Sequence, residues 1–421
     1  MAIFGKLSIS QLKTFQYIAS HYQKRFGYST DYTISAAPNP ALKLIVVIPS
    51  FNEAPEGTLN SLGNNPIDPN RVEVILVLNY SENSEEEIKD LHIEQDKKFN
   101  GLQLKNGVVV HVIKAFDLPA KQAGVGLARK IGMDVALQRF SYINRDGLIV
   151  CFDADSTVSN NYLAELIKAE SAKASGLSIA FEHPIESIEN KAIKERICKY
   201  ENWLRYYIQA LRFTAYPHAY HTIGSSMVSR ASAYAKIGGM NRKKAGEDFY
   251  FLHKLIPQGD FYDLTTCTVF PSARTSDRVP FGTGRAMMEM EAGEKDFSEV
   301  YNPEIFKIIK VWLASFDQIR NMEVELWPDF VGEAFKSFGW VNQVNQMRQR
   351  SSSDASFHRN FYFWFDGFKM LKLVHFGRDN FFQNIKACKA SGELFDTKST
   401  DAMELLTELR EMDRESPFTY F

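Results

Sequence analysis

The chain has 421 residues, 45% of them hydrophobic, and 49 basic against 51 acidic residues give a formal net charge of −2 at pH 7. This balance argues against a general affinity for nucleic acid or for an anionic membrane. The apolar runs are strand-sized, which predicts no transmembrane helix. The start, MAIFGKLSISQLKTF, lacks the pattern of a signal peptide, and four scattered cysteines form no metal pair. We therefore expect a soluble cytoplasmic protein in a reducing compartment.

The first third of the chain alternates between strand and helix patterns. Apolar positions at helical spacing predict an amphipathic helix within residues 8–22, and the linker SAAPNPALK follows. Apolar runs predict strands at 44–49, 72–78, 108–115 and 148–152, with helices at about 82–92 and 123–139 between them. Such repetition predicts an α/β fold with a mostly parallel sheet, whose ligands bind beyond the carboxyl ends of the strands.

The later part of the chain is less regular. LSIAFEH predicts a strand, and an apolar stripe predicts a helix with Ile197, Tyr200, Leu204, Ile208 and Leu211 on one side. From about Asn302 the pattern is mostly helical and rich in aromatic residues. We therefore predict three parts: an N-terminal helical segment and linker (1–40), a catalytic α/β domain (41–300) and a helical C-terminal extension (301–421).

One predicted strand ends in two aspartates, in the stretch GLIVCFDADS. If the extended conformation continues, Asp153 and Asp155 point the same way, because side chains alternate along a strand. Two carboxylates so close repel each other unless a cation lies between them. The alternative is that they are turn and cap residues before a helix that begins near Tyr162.

Six segments, in this order, resemble family-2 glycosyltransferases. VVIPSFNE, the strand ending at Asn79, KQAGVGLARKIG and FDADS resemble the nucleotide-sugar half, and GSSMVSRASAYAKIGGMN and GEDFYFLHKL resemble the acceptor half. The resemblance covers about residues 42–275. It implies the GT-A fold, which is Rossmann-like with a mostly parallel sheet flanked by helices, here with a C-terminal helical extension. It also implies transfer of a sugar from a nucleoside diphosphate to an acceptor hydroxyl with inversion.

The resemblance implies a metal site as well. Asp153 and Asp155 match the DxD pair that holds a divalent cation on the donor pyrophosphate. Magnesium in proteins is usually held by one or two carboxylates together with substrate phosphates. A hard-oxygen ligand set suits Mg or Mn rather than zinc.

The segment after the first strand supplies the predicted nucleoside contacts, with Pro49 and Ser50 at its start. Phe51 and Glu53 match positions that flank the base and the ribose, although Phe51 could also be ordinary core. Asn79 stands where many members have an aspartate that pairs with the uracil edge. An amide can still donate and accept there, so UDP is the favoured donor nucleotide and the base stays open.

Two basic residues are candidates for the diphosphate. Arg129 matches the arginine of the family's helix near the donor, and Lys121 lies upstream of it. Lys121 could equally be a surface charge.

GEDF supplies the predicted base. Asp248 matches the carboxylate that deprotonates the acceptor hydroxyl, with Glu247 beside it. The alternative is an acidic residue that complements the dipole at the start of a helix.

Further candidates lie outside these motifs. Arg274, Arg278 and Arg285 fall in a stretch rich in glycine and serine, which is either a lid over the diphosphate or a surface loop. His218 and His221 are interpreted as packing or polar loop residues rather than metal ligands.

Aromatic residues at helical spacing favour core packing of the extension. A homo-oligomer contact, a lipid-linked acceptor or attachment to the inner face of a membrane are the alternatives.

The favoured function is thus a metal-dependent, inverting transferase that uses a nucleotide sugar and a saccharide or lipid-linked acceptor. A nucleotidyltransferase would be expected to carry a glycine-rich, basic phosphate loop after its first strand, and IPSFNEAPEG is neither. A nonenzymatic nucleotide-sugar-binding subunit has little need of a base such as Asp248.

Overall fold

The computed structural model describes residues 9–29, 31–275, 282–315, 320–321, 323–416 and 418, with backbone only for 9–14. The strands are β1 Leu44–Ser50, β2 Val72–Ser81, β3 Val109–Leu118, β4 Leu148–Cys151, β5 Thr157–Val158, β6 Gly176–Phe181, β7 Met227–Arg230, β8 Phe261–Phe270, β9 Glu299–Val300 and β10 Ile385–Lys386. The helices that precede β9 are α1 Ile9–Arg25, α2 Glu56–Gly63, α3 Glu86–Phe99, α4 Val125–Tyr142, α5 Tyr162–Glu170, α6 Lys191–Phe213, α7 Ala231–Lys236, α8 Glu247–Leu255 and α9 Thr283–Glu291. Those that follow it are α10 Pro303–Ala314, α11 Asp329–Ser337, α12 Val341–Arg350, α13 Asp354–Trp364, α14 Gly367–Asn380, α15 Ala387–Phe395 and α16 Ala402–Arg414.

One sheet, in the order β3-β2-β1-β4-β7-β6-β8-β5, organises the first 275 residues. The four strands β1 to β4 run parallel, which confirms the predicted parallel half of an α/β fold. Beyond β4 the sheet is mixed, because β7 pairs antiparallel with both β4 and β6 while β6 and β8 are parallel. The carboxyl ends of β1, β2 and β4 therefore lie along one edge.

Burial on both faces of the sheet explains why the central strands are apolar throughout. In β1, Ile45 and Val47 belong to one core cluster, which includes α4. Val46 and Ile48 belong to another cluster, which includes α2 and α5. A strand covered on both faces has no polar alternation, so its sequence is a continuous hydrophobic run.

Buried polar bonds fasten α1 to the sheet helices. The Tyr22 hydroxyl donates to Asp134 Oδ1 of α4 at 2.6 Å and accepts from Lys130 Nζ at 2.7 Å. Tyr234 of α7 donates to the same aspartate oxygen at 2.6 Å. Because every partner is buried and bonded, the network satisfies groups that would otherwise destabilise the fold.

The C-terminal helices form a core of their own that also includes α6. Tyr206 and Leu211 of α6 pack in one cluster with residues of α10 to α16, including Trp312, Phe335 and Phe361. The prediction that the aromatic residues of the extension are core is confirmed. Along the described ranges, no helix combines the length and apolarity needed to span a membrane.

A second link between α6 and the extension is polar and buried. Asp413 of α16 pairs with Arg205, with Arg212 Nη1 at 2.9 Å and with His221 Nε2 at 3.0 Å. Arg410 of α16 donates from Nε to Glu201 Oε1 at 2.8 Å. His218 lies apart from this network and contacts the Tyr362 carbonyl at 2.9 Å. Both histidines are therefore packing residues, in line with their interpretation from the sequence.

The cysteines are unpaired thiols in very different surroundings. Cys151, Cys198 and Cys267 are buried, whereas Cys388 on α15 is half-buried. Their side chains are held apart in separate parts of the fold, and none of the four forms a disulfide.

Candidate active site

The edge formed by the carboxyl ends of β1, β2 and β4 gathers most of the predicted site residues. The chain turns away from β1 at Phe51 and Asn52, and Asn52 has the left-handed φ of 48°. Asn79 of β2 donates from Nδ2 to the Ser50 carbonyl at 2.8 Å. Gln95 of α3 donates to the Glu53 carbonyl at 2.6 Å. The segment predicted to contact the nucleoside is thus fixed by side chains from β2 and α3.

Aromatic rings lie behind this segment. The Phe51 ring stacks on His92 of α3 with centroids 6.5 Å apart, and Tyr80 stacks on Phe116 at 4.5 Å. His92 accepts a hydrogen bond at Nε2 from the Asn52 amide. Burial lowers the pKa of His92 to about 4, so its ring is neutral at pH 7.

A buried arginine joins the two halves of the predicted site. Arg129 of α4, with only 4% of its side chain exposed, bonds from Nη2 to Asp153 Oδ1 at 2.5 Å and from Nη1 to Glu247 of α8. Asp248 Oδ2 lies beside the same guanidinium, next to Gly224. We call these four charged residues the Arg129 cluster. It brings together three segments that are far apart in the sequence.

Two glycines provide the space for the Arg129 cluster. A Cβ atom on Gly224 would lie 2.6 Å from both Nη atoms of Arg129 and 2.8 Å from Asp248 Oδ2. A Cβ atom on Gly126 would lie 2.2 Å from the Lys243 carbonyl oxygen. Real Cβ contacts are not this short, so a larger residue would clash with backbone at position 126 and would displace the ends of the Arg129 and Asp248 side chains at position 224.

The two carboxylates at the start of α8 have different surroundings. Glu247 is buried against Arg129, whereas Asp248 is half-buried and accepts at Oδ1 from the Phe249 amide at 2.7 Å. Burial raises the pKa of Glu247 to about 7, although Arg129 opposes the shift. Burial also raises the pKa of Asp248, again against Arg129. Three carboxylates share one guanidinium, and this excess of negative charge favours a bound proton or a recruited cation.

The strand β4 ends before the DxD pair, so the alternation of side chains along a strand does not extend to Asp153 and Asp155. β4 ends at Cys151, and Ala154 and Asp155 lie in a turn closed by a bond from the Ser156 amide to the Asp153 carbonyl at 3.2 Å. The expectation of a continued extended conformation was therefore wrong, since the pairing of β4 with β1 ends at Val47. The two carboxylates instead bind different arginines.

Asp155 and Glu53 share the second arginine. Arg274, which follows β8, donates from Nη2 to Glu53 Oε1 at 2.8 Å and to Asp155 Oδ2 at 2.7 Å. Its Nε also donates to Asp155 Oδ2, at 3.0 Å. Arg285 bonds instead to Glu289 on the same helix, and Arg278 lies outside the described residues.

The side chains of three other predicted residues take no part in the contacts of the two arginines. Pro49 is buried within β1 opposite Val77, and Ser50 is buried, with a hydroxyl that has no partner among the described residues. Lys121 is exposed in the turn before α4.

The residues present fit a divalent cation that is held together with substrate phosphates. Asp153 and Asp155 have 37% and 30% of their side chains exposed, so an ion can reach both. Within the described residues no group of three or more His, Cys, Asp or Glu side chains forms a metal cage. Two carboxylates completed by phosphate oxygens are typical of Mg²⁺ sites.

No role was predicted for Gly224 or His92, and Arg274 was predicted to lie in either a lid over the diphosphate or a surface loop. Gly224 begins the quoted segment GSSM, so a tight contact could have been suspected there. Nothing in the sequence indicates that His92 lies under Phe51, since α3 has the pattern of an ordinary acidic helix.

Comparison with known proteins finds a family match for the part of the chain that contains Arg129, Asp153 and Asp155. Residues 45–238 match the family described as glycosyl transferase family 2. The chain contains a family-2 glycosyltransferase domain. The predicted family is thereby confirmed, and the GT-A fold class agrees with the observed sheet and its flanking helices. No curated protein sequence matches the chain.

The solved structures that resemble this chain are distant from it in sequence. TarS 1–349 from S. aureus in complex with UDP is 13% identical, with 55% of this chain and 60% of that chain covered and a TM-score of 0.35. Its complex with UDP-GlcNAc is 14% identical, with coverages of 60% and 66% and a TM-score of 0.38. The mannosyltransferase PcManGT from Pyrobaculum calidifontis, in complex with GDP-Man and Mn²⁺, is 13% identical, with coverages of 97% and 90% and a TM-score of 0.36. The chain thus spans just under two thirds of the first two TarS structures.

Proposed function

We propose that this protein transfers a sugar from a nucleoside diphosphate to an acceptor hydroxyl with inversion, and that the reaction depends on Mg²⁺ or Mn²⁺. The observation that carries the proposal is the Arg129 cluster. In it a strand-end aspartate, a buried arginine and the two carboxylates that begin α8 meet at the carboxyl edge of the sheet. Ligands of open α/β sheets bind at this edge.

The nucleoside would bind along the segment after β1. Phe51 offers a ring face for the base, Glu53 a carboxylate for the ribose, and Asn79 an amide near the base edge. Pro49 and Ser50 would support this segment from β1, and Lys121 is proposed for the diphosphate. We favour UDP as the donor nucleotide.

The diphosphate would lie between Arg129 and the cation. Asp153 and Asp155 would hold the cation, which offsets the negative charge of the leaving diphosphate. Arg129 is positioned for the same task by its buried ion pairs. Its guanidinium stays charged at every pH of interest.

Asp248 is the proposed general base. Glu247 is engaged in a buried pair with Arg129, whereas Asp248 is the more exposed of the two and its Oδ2 faces Gly224. A raised pKa makes Asp248 a better proton acceptor than an ordinary aspartate. The proton of the acceptor hydroxyl would pass to Asp248 as the new bond forms, and a single displacement inverts the anomeric carbon.

The remaining parts of the prediction complete this proposal. A saccharide or lipid-linked molecule is the acceptor, and the boundaries near residues 40 and 300 separate the catalytic domain from its flanking parts. The protein acts in the cytoplasm or at the inner face of a membrane, with the helical extension as the candidate surface for self-association.

Calorimetry with a panel of UDP-, GDP- and dTDP-sugars, each with Mn²⁺ or Mg²⁺, would identify the donor. Asp153→Ala should abolish metal-dependent donor binding. Asp248→Asn should bind the donor almost normally and lose a factor of about a hundred to ten thousand in turnover, since only base catalysis is removed.

Glu247→Gln is the matched variant, one residue away on the same helix. If Glu247→Gln is inactive while Asp248→Asn remains active, the general base is Glu247 rather than Asp248. If no nucleotide sugar binds under any condition, the proposed function is wrong.

A further inference from the structure

The two arginines of the site differ sharply in exposure. Arg129 is enclosed, with 4% of its side chain exposed, whereas Arg274 has 44% exposed and projects from the segment that follows β8. An enclosed arginine with two ion-pair partners is a permanent part of the site. An exposed one can leave its partners at little cost, because solvent and salt screen exposed ion pairs and leave them weak.

Arg274 bridges two carboxylates that come from different strand ends. One nitrogen, Nη2, lies within hydrogen-bond distance of both Glu53 Oε1 and Asp155 Oδ2. Glu53 follows β1 and Asp155 follows β4, so their repulsion acts between two adjacent strand ends. A positive charge between them offsets this repulsion, as a divalent ion would.

We propose that Arg274 is an exchangeable cation of the donor site: it neutralises Asp155 and Glu53 while no divalent ion is bound, and it competes with that ion for Asp155. The proposal rests on the proposed function only in treating Asp155 as a cation ligand. Competition follows from geometry, since an arginine that donates twice to Asp155 Oδ2 occupies the lone pairs of one of the two carboxylate oxygens that could bind a metal ion, and its positive charge repels that ion.

The competition has a defined consequence for Mn²⁺ binding in the absence of nucleotide. Replacing Arg274 by a neutral residue removes its two hydrogen bonds to Asp155 Oδ2 and takes away one positive charge beside two carboxylates, so Mn²⁺ should bind more tightly. From the strength of exposed ion pairs, we expect the Kd for Mn²⁺ to fall by a factor of about 1.4 to 5 in Arg274→Gln.

The experiment is a titration of the full chain with MnCl₂ alone, in which free Mn²⁺ is measured by electron paramagnetic resonance. Arg274→Gln is compared with the parent and with Arg285→Gln. Arg285 is the matched control, because it is an exposed arginine nearby that bonds to Glu289 within its own helix. Arg285→Gln should bind Mn²⁺ like the parent. Thermal unfolding of each variant verifies the fold.

A double variant, Arg274→Gln with Asp155→Asn, identifies the ligand. It should lose the gain in Mn²⁺ affinity. A Kd unchanged in Arg274→Gln, a gain that persists without Asp155, or a failure of Arg274→Gln to bind Mn²⁺ would each overturn the proposal. If competition is observed but no nucleotide sugar binds, the proposed function fails while this inference stands.

Discussion

At the scale of single residues, the buried guanidinium of Arg129 needs both several carboxylates around it and a small residue beside them. A guanidinium is expensive to bury unless carboxylates surround it, and three carboxylates do so here. The same carboxylates need a neighbour small enough to let them approach. Gly224 meets that need, so a residue with no functional group of its own determines whether the charged groups can meet.

Gly224→Ala should therefore disable the site without unfolding the chain. The added Cβ would lie within 3 Å of Arg129 and Asp248, which must then move apart. We expect turnover to fall by about a hundredfold or more, since misplacing catalytic groups by about 1 Å can cost this much. Initial rates with the identified donor would measure the loss.

Gly57→Ala is the control for this prediction. Gly57 lies in α2, and a Cβ atom added there would meet nothing within 4 Å. Alanine should therefore leave turnover unchanged and stabilise the helix by up to about 1 kcal/mol. Equal activities of the two variants would show that Gly224 does not shape the Arg129 cluster.

The sequence predicted which residues belong to the site more successfully than it predicted the contacts that these residues make. Asp153 was found because its motif follows a predicted strand end, whereas Arg129 and Asp248 were found through the family resemblance of their segments. The partners of Arg274 were not, because a salt bridge between loops distant in sequence leaves no periodic signal. The turn at Asp155 was only the alternative interpretation, because the end of β4 is set by its pairing with β1 and not by local propensity.

At the scale of elements, α16 fastens the C-terminal extension to α6 through buried charges. Asp413 pairs with Arg205, Arg212 and His221. If Asp413 were neutral, the two buried arginines would both lose one negatively charged partner. Asp413→Asn should lower the free energy of unfolding by roughly 3 kcal/mol or more. Urea denaturation at pH 7 would measure the change.

The same contact predicts a dependence on pH. Burial alone would raise the pKa of Asp413, but His221, Arg205 and Arg212 together hold it well below its ordinary range. A depressed pKa in the folded state gives stability that is present above the unfolded pKa of about 3.9 and is lost as the pH falls below it. The difference between the parent and Asp413→Asn should stay constant from pH 7 to about 5 and shrink below about pH 4.

Asp379→Asn serves as the reference for both measurements. Asp379 pairs with Arg378 at 2.7 Å on an exposed helix surface, so we expect its loss to change stability by less than about 1 kcal/mol. If Asp413→Asn and Asp379→Asn lower the free energy of unfolding by similar amounts, the buried network stabilises the fold no more than an exposed ion pair does.

Helices and strands were predicted correctly where burial alone determines the pattern of apolar residues in the sequence. The strands β1 to β4 and the helices α3, α4 and α6 follow from apolar runs and stripes. β5, β9 and β10 have two residues each, too few for any periodicity. The antiparallel position of β7 between β4 and β6 depends on contacts between distant segments, which a local pattern does not encode.

At the scale of the whole molecule, the extension and the sheet domain share α6. One face of α6 belongs to the aromatic core of the extension, and its buried charges connect to β6 and β8. All five tryptophans lie in α6 or beyond it, at residues 203, 312, 327, 340 and 364. Tryptophan fluorescence therefore follows α6 and the extension, while far-ultraviolet circular dichroism follows the entire chain.

The two signals should change together during urea unfolding. Because α6 belongs to both parts, loss of the aromatic core exposes an apolar face of the sheet domain, and we expect coincident midpoints. A fluorescence midpoint clearly below that of the circular dichroism would show that the extension unfolds alone.

The unequal burial of the thiols makes this protein convenient to label. Cys151, Cys198 and Cys267 are enclosed, and burial raises the pKa of each, so they present little thiolate to a reagent. Burial raises the pKa of Cys388 as well, but among the four thiols this one is partly open to solvent. A maleimide dye applied to the native protein should attach to α15 first, which provides a single optical reporter on the helical extension without any engineered cysteine.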